Sequence, residues 1–593
     1  FGVLPMKLSR LAGNRGYWLA IVTAVVIALP TLGFGFFVDD YLFIATLEGS
    51  PIVGSPFDLY SFGTGNPEEI EPLIQNGPYP WFGDPYFKVH FFRPLTCALM
   101  AMDYNLFGHF SPAYNAHSIL WYMLLCFGAM LIFRRTLPPA VGVLALFLFV
   151  ADESHVLPVA WWANRHSIIA VGMGFLGVAA HLRWREENWR PGLPLSLVSY
   201  VLALLAAETG LCVLAYVLAY EIFGRREEWR RRFFAVLPVS LVAIGYLLLY
   251  RAGGFGAQFS DVYIDPVGDP IVFLLAAPAR FVMLASAQFF MIPVEASLLH
   301  AEFEILFTVL GSLCLALVVG ILYVLWPRFE EKEKNALRWL IPGAAMAAAP
   351  SLAAIVSSRV LLASSLGGAA IIATLIICLW RELHRSVSRP IRFLNKPVML
   401  LIMGTILIGH LGIATLSWPG QVIALRSVMN HLDGLIRNSE LDETQMAETQ
   451  VVVFNPPEPY TGLYPLMLRS FDGLAAPRSW WTLSFAPYDH KLTRTGLQEM
   501  ELEVVGGEMI TSIAERLLRS SKRPLAVGYE SKLNGLRIRV LEVGDTGPTR
   551  IGLLFEKNPE SDCYQMLAFY DGAYRRLKLP GVGESIELPW GFR

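Results

Sequence analysis

Eleven long apolar stretches recur along the chain, and they restrict its fold more than any other feature of the sequence. A helix needs about 20 apolar residues to cross the hydrocarbon core of a bilayer. The chain is 54% hydrophobic and only 16% charged, with a mean hydropathy of +0.48, whereas soluble proteins carry about 25% charged residues. We therefore expect a polytopic α-helical membrane protein with about eleven transmembrane helices. The apolar stretches cover residues 17–37, 113–133, 139–152, 164–181, 194–207, 210–223, 234–250, 303–326, 339–356, 361–380 and 397–416.

Three of these stretches, 139–152, 194–207 and 210–223, are too short to cross a membrane alone. We expect them to be partial spans inside the bundle, because irregular backbone at membrane depth is tolerated only against protein or a water-filled cavity. The segment 270–293 contains Arg280 and is interpreted as an interfacial helix.

The distribution of Lys and Arg orients these helices. With a cytoplasmic N-terminus, six predicted cytoplasmic segments hold 22 Lys and Arg residues, and the opposite segments of the membrane part hold six. This asymmetry follows the positive-inside rule and requires an odd number of crossings. We therefore expect an integral protein of a bacterial inner membrane whose C-terminal region is periplasmic. The predicted cytoplasmic segments are 1–16, 134–138, 181–193, 224–233, 327–338 and 381–396.

Two regions differ from the apolar bundle. Residues 38–112 form a long loop rich in Pro, Gly and aromatic residues; such loops are usually functional, and we expect short interfacial helices on the outer membrane surface. Residues 418–593 have the composition of a soluble domain, and their alternating strands with Gly and Asp turns predict an α+β or β-rich fold. The sequence thus predicts a transmembrane domain over 1–417 and a soluble extracytoplasmic domain over 418–593.

Charge and cysteine usage exclude several classes of protein. The net charge is −2, whereas proteins that bind nucleic acid present a basic face. The six cysteines are scattered, with no CxxC pair and no Cys/His cluster. The sequence therefore indicates neither a disulfide framework nor a zinc site.

Ionisable side chains gather at the predicted outer ends of the helices. Each costs a few kcal/mol at membrane depth, so such residues are functional candidates by default. Because helices of alternating direction place them at the same depth, we expect them to line one polar cavity. The candidates are Asp39, Asp40, Arg93, Asp152, Glu153, His155, Arg165, His166, Glu208 and Arg359.

Each candidate also has a structural interpretation. The pair Asp39 and Asp40 suits the first turn of a following helix, where acidic residues are favoured. Arg165 and Arg359 are placed where long side chains snorkel to the interface. Glu208 can pair with an Arg or Trp of the bundle, and both histidines can be structural residues with satisfied hydrogen bonds.

Four stretches of the chain follow one another in an order seen in a known family. They are "FFRPLTCALMAMDYNLFGHFSPAYNAHSIL", "ESHVLPVAWWANRHSIIA", "LLAAETG" and "SSRVLLASS". Together with the acid pair after the first apolar stretch, they resemble the GT-C superfamily of membrane glycosyltransferases. The closer resemblance is to protein O-mannosyltransferase-like enzymes, including those with tetratricopeptide repeats and their bacterial relatives. The matching residues are Arg93, Pro94, Leu95, Tyr104, Phe107, Gly108, Tyr114, His155, Val159, Ala160, Arg165, Glu208, Thr209, Arg359, Leu361 and Ser365.

The resemblance covers most of residues 17–380 and implies a GT-C-like fold and a glycosyltransferase that uses a polyprenyl- or dolichyl-phosphate sugar. It assigns Asp39 as the base that takes the acceptor proton, and Asp40 as the group that orients the acceptor or helps to hold a cation. Arg359, and then Arg165 or Arg93, would bind the donor phosphate, because a guanidinium binds phosphate oxygens through two parallel hydrogen bonds. This single displacement inverts the anomeric centre.

Other points stay open from the sequence alone. The sugar is a hexose or pentose, and the acceptor hydroxyl belongs to a protein, a lipid or a glycan. The sequence does not establish a cofactor; two vicinal carboxylates suit a divalent cation such as Mg²⁺ or Mn²⁺, but no other residue of the sequence compels one.

Two alternatives come from other classes of protein. A lipid or solute transporter is one, but transporters place charges near the membrane midplane within inverted repeats. A catalytically inactive GT-C-like scaffold is the other, since Asn115, Leu157 and Ala207 stand where the family has His, Glu and Lys. Residues 418–593 do not resemble tetratricopeptide repeats.

Overall fold

The computed structural model describes residues 13–49, 54–298, 301–384 and 395–591. Within these residues the chain forms two compact units. The helical unit is built from residues 13–35, 92–254 and 266–425, and the sheet unit from residues 36–91, 255–265 and 426–591.

The helical unit consists of long apolar helices joined by short turns. Several begin with proline, whose missing N–H costs nothing at the first helical position. Its α-helices are Asn14–Ala28, Pro94–Phe107, Ser111–Thr136, Pro139–Ala151, Val156–Ala160, Arg165–Glu187, Gly192–Ala206, Gly210–Ala219, Trp229–Ala252, Pro270–Phe290, Ala301–Leu325, Glu331–Ser351, Ser365–His384, Lys396–Leu407 and Ala414–Arg437, the last of which continues into the sheet unit. Short 3₁₀ and π turns cover Leu29–Gly33, Glu153–His155, Trp162–Asn164, Tyr220–Gly224, Val294–Leu298, Trp326–Arg328, Ser358–Leu362 and Ile408–Ile413.

Eight helices in the described ranges are long and apolar enough to cross a membrane. A ninth results if Pro139–Ala151 and Glu153–Ala160, which are bent by 46° at a short break, form one span. The helices Gly192–Ala206 and Gly210–Gly224 are apolar but shorter. The chain is an integral membrane protein with a C-terminal sheet domain, which confirms the predicted fold class; the predicted number of eleven spans is not confirmed.

The helix Pro270–Phe290 differs from its predicted interfacial role, because its length and composition suit a membrane span. Arg280 is accommodated in it by hydrogen bonds to main-chain carbonyls. Its Nη1 donates to the oxygens of Leu352 and Ala354 at 2.7 and 3.0 Å. Since these bonds satisfy the guanidinium inside the protein, one arginine in the segment does not exclude a membrane-spanning helix.

Glycines allow close packing around the helix Arg165–Glu187. A Cβ at Gly128 would lie 2.8 Å from Cβ of Phe175, and a Cβ at Gly174 would lie 2.8 Å from Cβ of Val213. Small residues at such contacts let helix backbones approach closely, which is how helices associate in membranes. This packing fixes the helix that begins with Arg165 and His166.

The sheet unit contains three sheets and several short helices. A six-stranded antiparallel sheet has the order β13-β6-β7-β10-β9-β8, and a four-stranded sheet has the order β12-β11-β4-β5, in which β4 runs parallel to both neighbours. A three-stranded sheet has the order β1-β2-β3. The strands are β1 Ser61–Thr64, β2 Lys88–His90, β3 Gly256–Gln258, β4 Gln450–Val453, β5 Ser479–Thr482, β6 His490–Arg494, β7 Glu499–Val504, β8 Glu530–Lys532, β9 Leu536–Val543, β10 Pro548–Phe555, β11 Tyr564–Tyr570, β12 Ala573–Arg576 and β13 Ser585–Leu588. The helices are Asp39–Leu47, Pro67–Asn76, Pro459–Leu463, Pro465–Phe471 and Ile513–Leu518, with a 3₁₀ turn at Met446–Glu448.

The first loop contributes to the hydrophobic core of the sheet unit. Its helix Pro67–Asn76 buries Ile70 and Ile74, which share a cluster with Trp81 and the C-terminal strands. Nε1 of Trp81 donates to the carbonyl of Leu483 at 2.8 Å. The loop is therefore folded onto residues that follow it by about 400 positions. Its predicted place at the membrane surface, and the division into domains over 1–417 and 418–593, stay predictions.

Candidate functional site

Arg93 and Glu208 form an ion pair in the helical unit. Arg93 precedes the helix Pro94–Phe107, and Glu208 lies at the break between the two short apolar helices. Nε of Arg93 lies 3.0 Å from Oε2 of Glu208, and both side chains are mostly buried. The pair therefore brings together two helix ends that the sequence analysis selected separately.

Arg359 lies in the 3₁₀ turn Ser358–Leu362, with its guanidinium over the indole ring of Trp161 at 5.1 Å. Oε1 of Glu295 binds the two residues that precede Arg359 in the chain. It accepts hydrogen bonds from Oγ of Ser357 at 2.9 Å, and from the backbone N–H and Oγ of Ser358, both at 2.6 Å. The turn that carries Arg359 is thus anchored from another segment of the chain.

His166 connects these two arginines. It lies in the first turn of the helix Arg165–Glu187, and its ring interacts electrostatically with both Arg93 and Arg359. Two guanidinium groups and an imidazole from three distant segments thus gather in one region. We call Arg93, His166, Glu208 and Arg359 the arginine cluster. Such a cluster can bind an anion with planar, forked hydrogen bonds.

Arg165 is not included in the arginine cluster. Its guanidinium is fully buried and bonds to other residues of the helical unit. It forms an ion pair with Asp103, and its Nε donates to Oγ of Ser118 at 2.8 Å. It also donates to the carbonyl of Tyr114. Nδ1 of His117 lies 2.7 Å from the other oxygen of Asp103. This network connects the start of the helix Arg165–Glu187 to the helices that carry Asp103 and Ser118, and the predicted role of Arg165 as a phosphate ligand stays a prediction.

Two other candidates, His155 and Asp152, form hydrogen bonds within the helical unit. His155 is fully buried; its Nε2 lies 3.0 Å from Oγ of Ser365, and its Nδ1 lies 3.3 Å from the hydroxyl of Tyr122. Asp152 caps the following turn by accepting the N–H of Ser154 at 3.0 Å. Glu153, in that turn, is half-buried. These residues stabilise the bend between two apolar helices.

Asp39 and Asp40 open the helix Asp39–Leu47 of the sheet unit. The preceding residue, Val38, has a φ of +45°. Asp40 is fully buried, and its Oδ2 accepts the N–H of Phe37 at 2.9 Å. This bond ties the first turn of the helix to the residue that precedes its N-cap. The expected role of Asp40, to orient the acceptor or to help to hold a cation, stays a prediction. Asp39 is only half-buried.

Tyr464 is a partner of Asp39 that sequence reasoning missed. Its hydroxyl donates to Oδ1 of Asp39 at 2.6 Å. Burial, and then the charge of Asp39, hold the pKa of the Tyr464 hydroxyl well above its ordinary value, so Tyr464 stays protonated at neutral pH and donates. A single tyrosine just ahead of a short helix carries no sequence signal for such a contact.

No three His, Cys, Asp or Glu side chains within the described ranges are grouped so that they could hold a metal ion. In the acid pair, each carboxylate already accepts a hydrogen bond, from Tyr464 and from Phe37.

Comparisons with known proteins give neighbours at the level of fold. No family model and no curated protein sequence matches the chain. Among solved structures, it is similar to the oligosaccharyltransferase of Archaeoglobus fulgidus, tethered with an acceptor peptide, at 15% identity and a TM-score of 0.38 over 78% of this chain. The chain spans 64% of the length of that enzyme. It is also similar to ArnT from Cupriavidus metallidurans bound to undecaprenyl phosphate, at 13% identity and a TM-score of 0.38 over 79% of this chain and 90% of that one.

The resemblance of the sequence to the O-mannosyltransferase group is not confirmed by these neighbours. At such TM-scores the likeness carries no conclusion about site or substrate. The function proposed below rests on the residues of this chain.

Proposed function

We propose that this protein is a membrane glycosyltransferase that moves a hexose or pentose from a polyprenyl-phosphate-linked donor to an acceptor hydroxyl outside the cytoplasm. The observation that carries the proposal is the arginine cluster. Ionisable side chains within an apolar helix bundle are candidates for a functional site by default. Two guanidinium groups beside one imidazole suit a phosphate attached to a lipid.

Arg359 is the first phosphate ligand in this proposal. Its fork can bind two phosphate oxygens, while the ring of Trp161 and the Glu295 anchor hold it in place. Arg93 is the second ligand, and its charge is partly balanced by Glu208. Arg165 supports the bundle from its buried pair with Asp103.

Asp39 is the proposed base. Its carboxylate takes the proton of the acceptor hydroxyl while the acceptor oxygen forms a bond to the anomeric carbon. The bond from that carbon to the phosphate oxygen breaks, and the polyprenyl phosphate leaves as an anion. One displacement inverts the anomeric centre. Asp40 contributes by fixing the turn through the N–H of Phe37.

The proposed orientation follows from the charge asymmetry of the sequence. The N-terminus is cytoplasmic, and residues 418–593 lie in the periplasm of a bacterial inner membrane. The acceptor is a protein, a lipid or a glycan of that compartment. If the acceptor is a protein, the reaction is protein glycosylation.

A donor-consumption assay tests the proposal. The full-length protein in liposomes is given undecaprenyl-phosphate hexose and undecaprenyl-phosphate pentose together with an envelope extract as acceptor. We expect release of undecaprenyl phosphate and labelled product, and loss of both in D39N with normal folding. Activity that survives D39N contradicts the proposed base, and no transfer by the wild type with any donor favours the inactive scaffold.

Two further arms complete this experiment. Movement of the labelled lipid between leaflets without sugar transfer would indicate the transporter instead. The same assay with a chelator, followed by added Mg²⁺ or Mn²⁺, tests a divalent cation, and we expect activity to persist because the proposed steps use side chains alone.

A further inference from the structure

The C-terminal region of the sheet unit supplies a direct partner to the proposed base. The hydroxyl of Tyr464 donates to Oδ1 of Asp39 at 2.6 Å, although the two residues are 425 positions apart. We propose that Tyr464 is a positioning residue that fixes the orientation of the Asp39 carboxylate and keeps it ionised for proton abstraction. This inference rests on the proposed function.

Tyr464 is itself held in place by neighbouring rings. It lies directly ahead of the helix Pro465–Phe471, and its ring stacks on that of Tyr460 with centroids 4.9 Å apart and an angle of 21°. The hydroxyl of Tyr460 donates to Oδ1 of Asp433 at 2.6 Å. The phenol that meets Asp39 therefore has little freedom to rotate away.

The helix that carries Asp39 is fastened to the same group of residues at a second point. The hydroxyl of Tyr41 donates to Oδ2 of Asp433 at 2.8 Å. Asp433 thus receives one tyrosine hydroxyl on each oxygen, from Tyr41 and from Tyr460. Asp39 and Tyr41 are two positions apart on one helix, so the two links fix both its position and its rotation.

The direction of the hydrogen bond decides its chemical effect. Burial and the charge of Asp39 raise the pKa of the Tyr464 hydroxyl, so the proton stays on the phenol. A hydrogen bond donated to a carboxylate favours its charged form. The same bond restrains the orientation of the carboxylate plane. A base needs a fixed orientation to meet the acceptor proton at short range.

The variant Y464F tests this role in full-length protein with the donor-consumption assay. It keeps the ring and its stacking on Tyr460 but removes the donor. We expect kcat to fall about ten- to hundredfold, since hydrogen bonds to charged groups are among the strong ones. The KM for the lipid-linked donor should stay within about twofold, because no contact to the phosphate changes.

The pH profile separates positioning from a loss of structure. Without the hydroxyl, Asp39 takes up a proton more easily, so the acid limb of kcat/KM should move up by about one pH unit. A matched control is Y564F in the same unit, where the hydroxyl donates to the carbonyl of Gly535 at 2.7 Å. We expect Y564F to have the wild-type pH profile.

A second variant addresses the case in which Y464F does not fold. Incorporation of 3,5-difluorotyrosine at position 464 keeps the hydroxyl and makes it a stronger donor. The acid limb should then move in the opposite direction, to lower pH. An acid limb that stays at the wild-type position in folded Y464F or in the fluorinated protein overturns the inference. Loss of activity in D39N together with an unaltered Y464F leaves the proposed function standing and removes the role of Tyr464 alone.

Discussion

Nε of Arg93 lies 3.0 Å from Oε2 of Glu208, although 115 positions separate these residues in the sequence. The other carboxylate oxygen, Oε1 of Glu208, is buried and has no hydrogen-bond partner among the described residues. Within the part of the chain that the structure describes, the Glu208 carboxylate thus forms its ion pair with Arg93 through Oε2, and its charge opposes the positive charge of the arginine cluster. Substitutions of Glu208 can therefore separate the effect of its contact with Arg93 from the effect of its negative charge.

We expect E208Q to bind undecaprenyl phosphate about two- to fivefold more tightly than the wild type. Glutamine keeps an acceptor for the Nε–H of Arg93 but removes a negative charge that lies close to the proposed phosphate. Loss of this repulsion at an intermediate dielectric accounts for a gain in affinity of this size. E208A also releases Arg93 and should bind no more tightly than the wild type. The measurement is a binding titration of full-length protein in detergent at low and high salt. Weaker binding by E208Q contradicts a phosphate site beside this pair.

The second prediction concerns Arg359 and whether phosphate binding needs its guanidinium group or only a positive charge. R359A should weaken the binding of undecaprenyl phosphate about tenfold or more, because a charge-assisted fork is lost. R359K keeps the charge but loses the fork and the contact of the guanidinium with the ring of Trp161, so we expect an intermediate affinity. R251A, at an exposed position, is the control and should bind like the wild type. Equal affinities of R359A and R251A contradict the assignment.

The third prediction separates Arg165 from these ligands. R165A leaves the fully buried Asp103 without its ion-pair partner, and such a change costs about 3–5 kcal/mol of stability. We expect a large fall in the thermal unfolding midpoint in detergent. In the fraction that stays folded, the affinity for undecaprenyl phosphate should be close to that of the wild type. A stable R165A with lost phosphate binding would instead make Arg165 a ligand.

The fourth prediction concerns pH and His490 in the sheet unit. Burial lowers the pKa of His490 to about 4, and its Nε2 lies 2.8 Å from Oγ of Ser484. Because the unfolded chain binds a proton near pH 6.5 and the folded one near pH 4, stability is lost as the pH falls through this window, by about 3 kcal/mol.

The variant H490Q measures this contribution. It removes the titrating group, so its unfolding midpoint should fall less than that of the wild type between pH 6.5 and pH 4. Thermal unfolding of the full-length protein at a series of pH values gives the comparison. Parallel curves for the two proteins would contradict a contribution of His490 to the pH dependence of stability.

Of the candidate site residues, those of the arginine cluster were selected from the sequence and also lie close together in the structure. Arg93, His166 and Arg359 were selected because each is charged or ionisable at the end of an apolar stretch, and the structure brings them into one region. Their roles stay predictions. The burial of Arg165 was not visible, because its partner Asp103 is 62 positions away and lies on a helix without a distinctive pattern.

Long-range packing limited the prediction of the first loop and of Tyr464. The apolar, aromatic-rich composition of residues 38–112 predicted interfacial helices, whereas Ile70 and Ile74 of this loop share a core cluster with strands that begin beyond residue 449. Tyr464 is one of 22 tyrosines, and only the folded chain shows which of them meets Asp39. Alternation of apolar residues, by contrast, is a local signal: it predicted an α+β or β-rich C-terminal domain, and a C-terminal sheet domain is confirmed.

The turn at Val38 has a consequence for the carboxylate that follows it. A β-branched residue avoids a φ of +45°, and such backbone costs on the order of 1–3 kcal/mol unless its surroundings impose it. Here the rings of Phe36 and Tyr41, on either side of Val38, both contact the ring of Phe471, at 5.5 and 5.1 Å. Loss of that one ring would let Val38 relax to a negative φ, and the start of the helix would turn Asp39 away from its hydrogen-bond partner.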